Sequence, residues 1–265
     1  FQKAQKAWYR REEGKKRTGD GIWFHIADRL IFRAVRKRFG TRLKAIICGS
    51  APLSLETQQF FQMMGISILQ VYGLTETTAI CTMDDPDHVE MGWVGPAVDG
   101  VEMKLGEMDE ILVKGPNVFP GYWHRPQATA AAFCDGWFRT GDQGEVNQRG
   151  NWRIIGRIKN LLILSSGHNV APEPMEECLL KSIPGIRQVI LIGHGKSFLS
   201  ALLTGEARTE DIEKAVESIN GTLPHYKRIR AYRLLEEPFS IENGLLTANG
   251  KLKRDQIQIR WDSRI

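Results

Sequence analysis

The chain has 265 residues, of which 42% are hydrophobic and 25% are charged, and its formal net charge is +5. This composition is ordinary for a soluble globular protein and suffices for a sizeable core in one or two domains. No apolar run reaches the length of a membrane span and no segment resembles a signal peptide, which argues against a spanning helix within these residues.

The four cysteines (Cys48, Cys81, Cys134 and Cys178) form neither a CxxC pair nor a cysteine–histidine pattern typical of zinc sites. We therefore expect reduced thiols and a cytoplasmic location. The chain does not begin with Met, and it opens in what resembles the middle of a charged helix. We expect it to be a fragment of a longer protein, preceded by further residues.

Basic residues are concentrated before Lys44, and residues 21–39 combine them with apolar residues at helical spacing. The pattern predicts an amphipathic helix that ends at Gly40. Such a helix either packs against a sheet or lies as a peripheral contact on the inner face of a membrane. We favour packing against a sheet, because a strand follows at once.

That strand, 43–48, leads through the small residues of 49–54 into a helix over 55–64, for which Ser54 is the predicted N-cap. A second apolar run, 66–69, follows and leads into Gln70–Thr78. This order predicts a parallel βαβ unit, whose ligands bind at the carboxyl ends of the strands. In Gln70–Thr78 an aromatic ring can stack on a base, hydroxyl and backbone N–H groups can hold a phosphate, and a carboxylate can bind Mg²⁺. An ordinary polar turn is the alternative.

Residues 92–156 contain short β-rich runs separated by Gly and Pro, which predicts a small antiparallel region. Asp142 follows a glycine there and can accept hydrogen bonds from a ribose, although a simple turn is the alternative. The last part of the chain predicts a small α+β unit with a helix after Pro172, strands over 188–193 and 199–203, a helix over 209–219 and a strand near 231–235. Its tail carries Lys251 just after a glycine.

These motifs occur together and in order, and with them the sequence resembles the adenylate-forming superfamily, in particular its long-chain fatty acyl-CoA synthetase branch. The matching segments run from about Arg42 to Arg254. They are Cys48–Leu53, Gln70–Thr78, Gly115 with Gly121, Tyr122 and Pro126, Trp137–Asp142, Gly156 and Arg157 with Lys159, Ser166 and Gly167 with Pro172, and Gly250–Arg254.

The resemblance implies an α/β fold, in which the end of a large adenylation domain (a parallel βαβ sheet plus a small antiparallel β subdomain) is followed by a small α+β C-terminal domain. The implied boundaries are 1–158 and 159–265, with a hinge near Lys159. The implied activity is ATP-dependent ligation of a fatty acid to CoA through acyl-AMP, with ATP, Mg²⁺ and CoA required and no nucleic-acid partner.

The resemblance also assigns site residues. Thr75 and Glu76 would act on the phosphate and Mg²⁺, Asp142 and Arg157 on the ribose, and Lys251 in the transition state of adenylation. CoA would approach Ser166, Gly167 and His168. The nucleotide and acyl-adenylate site would be lined by Ser50, Ala51, Pro52, Gln70, Val71, Tyr72, Gly73, Leu74 and Thr75.

The sequence departs from the family pattern in one main respect, because the glycine-rich phosphate loop is absent. We therefore expect the 265 residues alone to be inactive in adenylation, and an exposed sheet edge to favour a homodimer. Two alternatives to the CoA ligase stay open. One is an acyl-AMP ligase that loads a carrier protein, and the other is a non-catalytic homologue that binds acyl or nucleotide ligands.

Overall fold

The computed structural model describes residues 2–12, 14–15, 17, 19–40, 42–51 and 53–261. By internal packing the chain divides into two compact units, of which the first comprises Phe1–Thr140 and Gly144–Ile154 and the second Gly141–Gln143 and Ile155–Ile265. The packing thus assigns the residues from Ile155 onward to the second unit, four residues before the boundary at 158/159 that the sequence analysis set.

The described residues of the first unit form helices and two sheets. Its helices are α1 (Gln2–Glu12), α2 (Asp20–Ala27), α3 (Arg33–Phe39), α4 (Leu55–Met63) and α5 (Pro126–Ala132). Its strands are β1 (Ala45–Cys48), β2 (Ser67–Tyr72), β3 (Thr82–Met83), β4 (Glu102–Leu105), β5 (Glu110–Lys114) and β6 (Phe133–Cys134), and two longer strands, β7 (Trp137–Val146) and β8 (Trp152–Arg157), contain residues of both units.

The predicted βαβ unit is confirmed. Strand β1 runs parallel to β2, with Cys48 opposite Gln70, so that the two strands end side by side. Between them, the Ser54 side chain accepts a hydrogen bond from the backbone N–H of Thr57 at 3.1 Å and caps α4, as predicted. Both candidate ligand segments therefore begin at the same edge of this sheet.

The strand β2 extends further than the sequence predicted. The sequence predicts a strand over the apolar run 66–69 and a loop from Tyr72, but β2 continues to Tyr72, and Val71 and Tyr72 pair with Met83 and Thr82 of β3 in antiparallel register. The reason is long-range, because β3 lies about ten residues downstream and supplies the hydrogen bonds that keep these residues extended. The predicted antiparallel region is confirmed in the sheet β4-β5-β7-β6, in which β8 pairs with β7.

The predicted helix over 21–39 is present as α2, a π-helical turn (Asp28–Phe32) and α3 in immediate succession. Ala27 and Phe32 are buried with Trp8, Met63 and Met64. Other large apolar side chains of this helix are exposed. They are Ile22, Trp23, Ile26, Leu30, Ile31 and Phe39. The helix thus packs on its own unit with one face and leaves a second apolar face uncovered by the residues that the structure describes.

The second unit is the predicted small α+β unit. Its elements are β9 (Leu162–Ile163), β10 (Asn169–Val170), α6 (Glu173–Ser182), β11 (Ile186–Ile192), β12 (Leu199–Gly205), α7 (Thr209–Thr222), β13 (Ile229–Leu235) and α8 (Arg254–Trp261). Strand β12 pairs antiparallel with β11 and parallel with β13. Residues Leu199–Thr204 of β12 are all buried, because α6 and α7 cover one face of this sheet and α8 with the Phe239–Leu252 segment covers the other.

Candidate active site

The turn after β1 lies against the end of β2. A Cβ atom on Gly49 would lie 2.5 Å from Cγ2 of Val71, so only glycine allows this approach. Ser50 has a positive φ of 68°, and both Ser50 and Ala51 are exposed. Pro52 lies outside the described residues. The exposed part of this turn is therefore open to a ligand at the carboxyl end of β1.

The turn after β2 is equally compact. A Cβ atom on Gly73 would lie 1.8 Å from the carbonyl oxygen of Ala79, which excludes any side chain there. The carbonyl oxygen of Leu74 accepts hydrogen bonds from the backbone N–H groups of Thr77 and Ala79, each at 3.1 Å. The hydroxyl of the buried Thr77 also bonds to the Leu74 backbone. These bonds close the turn and leave Thr75 exposed and Glu76 half-buried on it.

The side chains of Gln70 and Tyr72 belong to the interior of the first unit. The Gln70 amide nitrogen donates to Oε1 of Gln58 at 3.2 Å and to the carbonyl oxygen of Trp93 at 3.0 Å. Tyr72 is 9% exposed and lies in a core cluster that includes Ile111. Both side chains thus pack inside the unit next to the turn. Contact of Gln70, Val71 or Tyr72 with a nucleotide stays a prediction, and Val71 is half-buried.

A second segment, residues 115–122, holds the Glu76 turn. The Tyr122 hydroxyl donates to Oε1 of Glu76 at 2.9 Å, and the backbone N–H of Phe119 donates to the carbonyl oxygen of Glu76 at 2.8 Å. The Asn117 amide nitrogen lies 3.2 Å from the carbonyl oxygens of Thr77 and Ile80. Glu76 is therefore fixed through both its backbone and its carboxylate.

Asp142 and Arg157 form an ion pair within the second unit. Nε of Arg157 lies 2.6 Å from Oδ1 of Asp142. The carboxylate is buried and the guanidinium is about half exposed. The two residues are neighbours because they lie on the paired strands β7 and β8. Fifteen positions separate them in the sequence, and the structure brings them together as one polar feature with hydrogen-bonding groups toward solvent.

Lys251 lies at the exposed end of a turn closed by an isolated bridge between Leu246 and Leu252. The backbone N–H of Lys251 donates to the Thr247 hydroxyl at 3.0 Å, and its carbonyl oxygen accepts from Thr247 N at 2.8 Å. The ammonium group makes no ion pair or hydrogen bond with any residue that the structure describes. It is therefore free to act on a ligand.

The loop predicted to approach CoA has a defined local structure. Gly167 has a φ of +81°, and Oγ of Ser166 lies 2.9 Å from Nδ1 of His168. The imidazole stacks on the ring of Tyr226, with centroids 4.1 Å apart and planes at 17°. Lys159 lies in a 3-10 turn (Ile158–Asn160) that precedes β9. That residues 166–168 contact CoA and that Lys159 acts as a hinge both stay predictions.

Glu76 suits a magnesium ion that also binds nucleotide phosphates. No group of three or more His, Cys, Asp or Glu side chains that could hold a metal ion occurs among the described residues. Mg²⁺ commonly takes only one or two carboxylates and completes its shell with water and phosphate oxygens. One partly buried carboxylate on a partly exposed turn is compatible with that requirement.

Sequence reasoning placed the motifs but missed several partners. Tyr122 appears in the sequence only as part of a matched segment, without a role, and Asn117 and Tyr226 were not singled out. No local pattern marks these residues, since Tyr122 lies 46 positions from Glu76 and Asn117 lies 40 positions from Thr77.

Two family models match the chain. The first, AMP-binding enzyme, covers residues 12–123, and the second, AMP-binding enzyme C-terminal domain, covers residues 159–265.

Among curated proteins, the chain is 33% identical over 283 residues to the long-chain-fatty-acid–CoA ligase FadD15 of Mycobacterium bovis, a match that covers 96% of this chain and 47% of that protein. It is 31% identical over 300 residues to human long-chain-fatty-acid–CoA ligase 1, covering 97% of this chain and 42% of the relative. The chain thus spans less than half the length of these relatives.

Among solved structures, the chain resembles ATP-bound MatB from Rhodopseudomonas palustris, with a TM-score of 0.69 and 26% identity over 94% of this chain and 54% of the other. The predicted fold class, an α/β C-terminal part of an adenylation domain followed by a small α+β domain, is confirmed by this similarity and by the two matched models.

Proposed function

The chain belongs to the AMP-binding enzymes, and on that premise we propose that it is the C-terminal portion of an acid–thiol ligase that activates a long-chain fatty acid with ATP and transfers it to CoA. The observation that carries the proposal is that the chain holds the groups this chemistry requires, with Glu76 inside the first matched model, Lys251 inside the second, and Asp142 and Arg157 between the two. Glu76 lies on a partly exposed turn and Lys251 on an exposed one, and Asp142 and Arg157 form a ready pair. The names of the relatives support the fatty acid and CoA as substrates.

The first half-reaction joins a carboxylate to the α-phosphorus of ATP. A carboxylate oxygen attacks the phosphorus, the bond to pyrophosphate breaks, and acyl-AMP forms. A carboxylate is a weak nucleophile, so catalysis depends on alignment and on neutralising charge at the phosphate. The Thr75 hydroxyl can donate to a phosphate oxygen, and the Lys251 ammonium can stabilise the charge that develops in the transition state.

The ribose and the metal need separate contacts. Asp142 can accept hydrogen bonds from ribose hydroxyls while Arg157 orients its carboxylate. Mg²⁺, held by Glu76 and the phosphates, would supply charge neutralisation at the reacting phosphate.

In the second half-reaction the CoA thiolate attacks the acyl carbonyl and AMP leaves. We propose that the Ser166–His168 loop approaches CoA at this stage and that the residues around Lys159 absorb the backbone changes of a domain rotation.

The test is carried out on the full-length protein that contains these residues. We expect fatty-acid-dependent exchange of pyrophosphate into ATP, followed by acyl-CoA formation when CoA is added. Formation of product only with a phosphopantetheine carrier protein would instead identify the carrier-loading ligase, and the absence of exchange with any acid would refute both. The 265 residues alone, which span less than half of the relatives, are expected to show no exchange.

We also propose a peripheral membrane contact through the helix over 21–39, in a reducing compartment consistent with four free thiols. Ile22, Ile26 and Leu30 are spaced at i, i+4 and i+8 and are 65%, 42% and 71% exposed. Exposed Arg29 and Arg33 lie on the same helix and can contact anionic headgroups. No described helix has the length and apolar character to cross a bilayer.

Liposome co-sedimentation tests this contact. We expect the variant Ile22→Ser with Leu30→Ser to lose most of its binding to anionic vesicles. Ile259→Ser, which alters another strongly exposed isoleucine in the second unit, is the matched control and should bind like the wild type. Equal binding of all three proteins would rule out the helix as the contact.

A homodimer through the edge of the first sheet is a further proposal for the isolated 265 residues. Strand β1 is the outer strand in the order β1-β2-β3, and Ile47 on it is 62% exposed. An uncovered apolar edge strand favours pairing with a second copy. Light scattering should show a dimer that Ile47→Lys converts to monomer, whereas a monomeric parent would refute the proposal.

A further inference from the structure

The Glu76 carboxylate is held by a tyrosine that is itself rigidly placed. The Tyr122 hydroxyl donates to Oε1 of Glu76 at 2.9 Å. This bond constrains the torsion angles of a glutamate side chain, which would otherwise sample several rotamers on an open turn. It engages one carboxylate oxygen and leaves Oε2 available for another ligand.

The backbone of Tyr122 is fixed by the helix α5. Its N–H donates to the Thr129 hydroxyl at 2.9 Å, and that hydroxyl donates in turn to the carbonyl oxygen of Arg125. The preceding Gly121 has a φ of +147°, and a Cβ atom there would lie 2.6 Å from Cγ2 of Thr129. The glycine thus allows Tyr122 to approach the helix closely.

The ring of Tyr122 is fixed by a small aromatic cluster. It lies edge to face with Phe119, with centroids 4.8 Å apart. Phe119 stacks on Phe133 and meets Phe138, which is only 2% exposed. Because Phe119 also donates its backbone N–H to the Glu76 carbonyl, the same segment fixes the glutamate at two points.

We propose that Tyr122 is a positioning residue, which holds the Glu76 carboxylate in the orientation that binds a divalent cation together with the nucleotide phosphates. The proposal rests on the proposed function, since it is adenylation that requires the cation. In this role Tyr122 acts through its bond to Glu76.

Cation binding, measured without turnover, provides the main test. We would titrate the full-length protein with Mn²⁺ in the presence of a non-hydrolysable ATP analogue and follow free Mn²⁺ by electron paramagnetic resonance. Mn²⁺ prefers the same oxygen ligands as Mg²⁺. Tyr122→Phe should raise the dissociation constant by about 10- to 100-fold, which is the loss typical when a hydrogen bond that orients a metal ligand is removed.

Two variants make the result specific. Tyr232→Phe removes another tyrosine hydroxyl that donates to a glutamate, Glu213, in the second unit, and should leave Mn²⁺ binding unchanged. In a Glu76→Gln background, Tyr122→Phe should have no further effect on the dissociation constant, because Tyr122 acts through Glu76.

Tyr122→Phe should affect only the adenylation half-reaction. Tyr122→Phe should raise KM for the metal–ATP complex in adenylation and leave thioester formation from supplied acyl-AMP unchanged. Wild-type Mn²⁺ binding in Tyr122→Phe, or additive effects in the double variant, would overturn the proposal. If Glu76→Gln alone leaves Mn²⁺ binding intact, the metal role of Glu76 fails instead, and with it that part of the proposed function.

Discussion

Glu76 and Lys251 both lie on tight turns, but the two turns are stabilised differently. The Glu76 turn is bonded to a second segment, 115–122, through backbone, amide and hydroxyl groups. The Lys251 turn is closed by its own residues, 247–252, and its ammonium group has no partner among the described residues. A metal ligand requires a fixed position, whereas a lysine proposed to act in one of two half-reactions requires freedom to move away.

The largest expected difference between the two turns is the loss of adenylation rate when Lys251 is replaced. Lys251→Ala removes the ammonium group proposed to stabilise the transition state, and adenylation should fall about 10²–10³-fold. Thermal stability should not change, because the side chain is exposed and makes no contact that folding requires. Lys253→Ala, which alters an exposed lysine two residues away, is the control and should retain adenylation; equal losses would contradict the assignment.

The tail that follows Lys251 is attached to the second unit by a buried ion pair. Nη1 of Arg254 lies 2.7 Å from Oε1 of Glu176, Nη2 contacts Oε2, and the Leu191 N–H donates to the same carboxylate. Arg254→Met would leave a buried carboxylate without its cation and should lower the free energy of unfolding by about 3 kcal/mol.

The matched control for that prediction is Arg208→Met. Arg208 pairs with Asp211, but its side chain is 76% exposed, so its loss should cost less than about 0.5 kcal/mol in chemical denaturation. Burial raises the pKa of Glu176 and Arg254 opposes that rise. Without the arginine, the destabilisation should therefore grow as pH increases; a loss independent of pH would contradict this explanation.

Asp84 is a buried acid that bonds to β2, the strand before the Glu76 turn. It predicts that the free energy of unfolding of the first unit depends on pH. The Gln70 N–H donates to Oδ2 of Asp84 at 2.7 Å, and burial raises the pKa of Asp84 to about 6, above its ordinary value of 3.8. Between these pH values the folded state keeps a proton that the unfolded chain has lost. Stability should therefore fall by about 2 kcal/mol as pH rises from about 4 to about 6.

Asp84→Asn tests the origin of that slope. The variant keeps an acceptor for Gln70 but cannot ionise, so unfolding measured between pH 4.5 and pH 7 should lack this decrease. An unchanged slope would show that other groups cause it.

The smallest effect is expected from Asn117, whose side-chain amide bonds the 115–122 segment to the Glu76 turn. Asn117→Ala removes the donor to the Thr77 and Ile80 carbonyl oxygens and should cost about 1–2 kcal/mol of stability. Asn220→Ala removes a comparable pair of bonds to Ile229 in the second unit and should cost a similar amount. Only Asn117→Ala should also weaken Mn²⁺ binding. Equal binding in both variants would show that the Asn117 hydrogen bonds do not position Glu76 for the metal.

The elements that the sequence predicted well are those that local chemistry specifies. The helix after Ser54, the strands over 188–193 and 199–203 and the helix over 209–219 follow from periodicity, a capping hydroxyl and turn residues, all of which act within a few positions. The strand predicted over 66–69 ended too early, because Gln70–Tyr72 pair with distant partners and so extend β2.

By itself, then, the sequence determined the order of the elements, the resemblance to adenylate-forming enzymes and the side chains that carry the proposed chemistry. Only the tertiary structure decided which of them are held in place and by what. Tyr122 reaches Glu76 across 46 positions and Arg254 reaches Glu176 across 78. Such contacts depend on strand register and on the packing of distant segments, which residue patterns of a few positions do not encode.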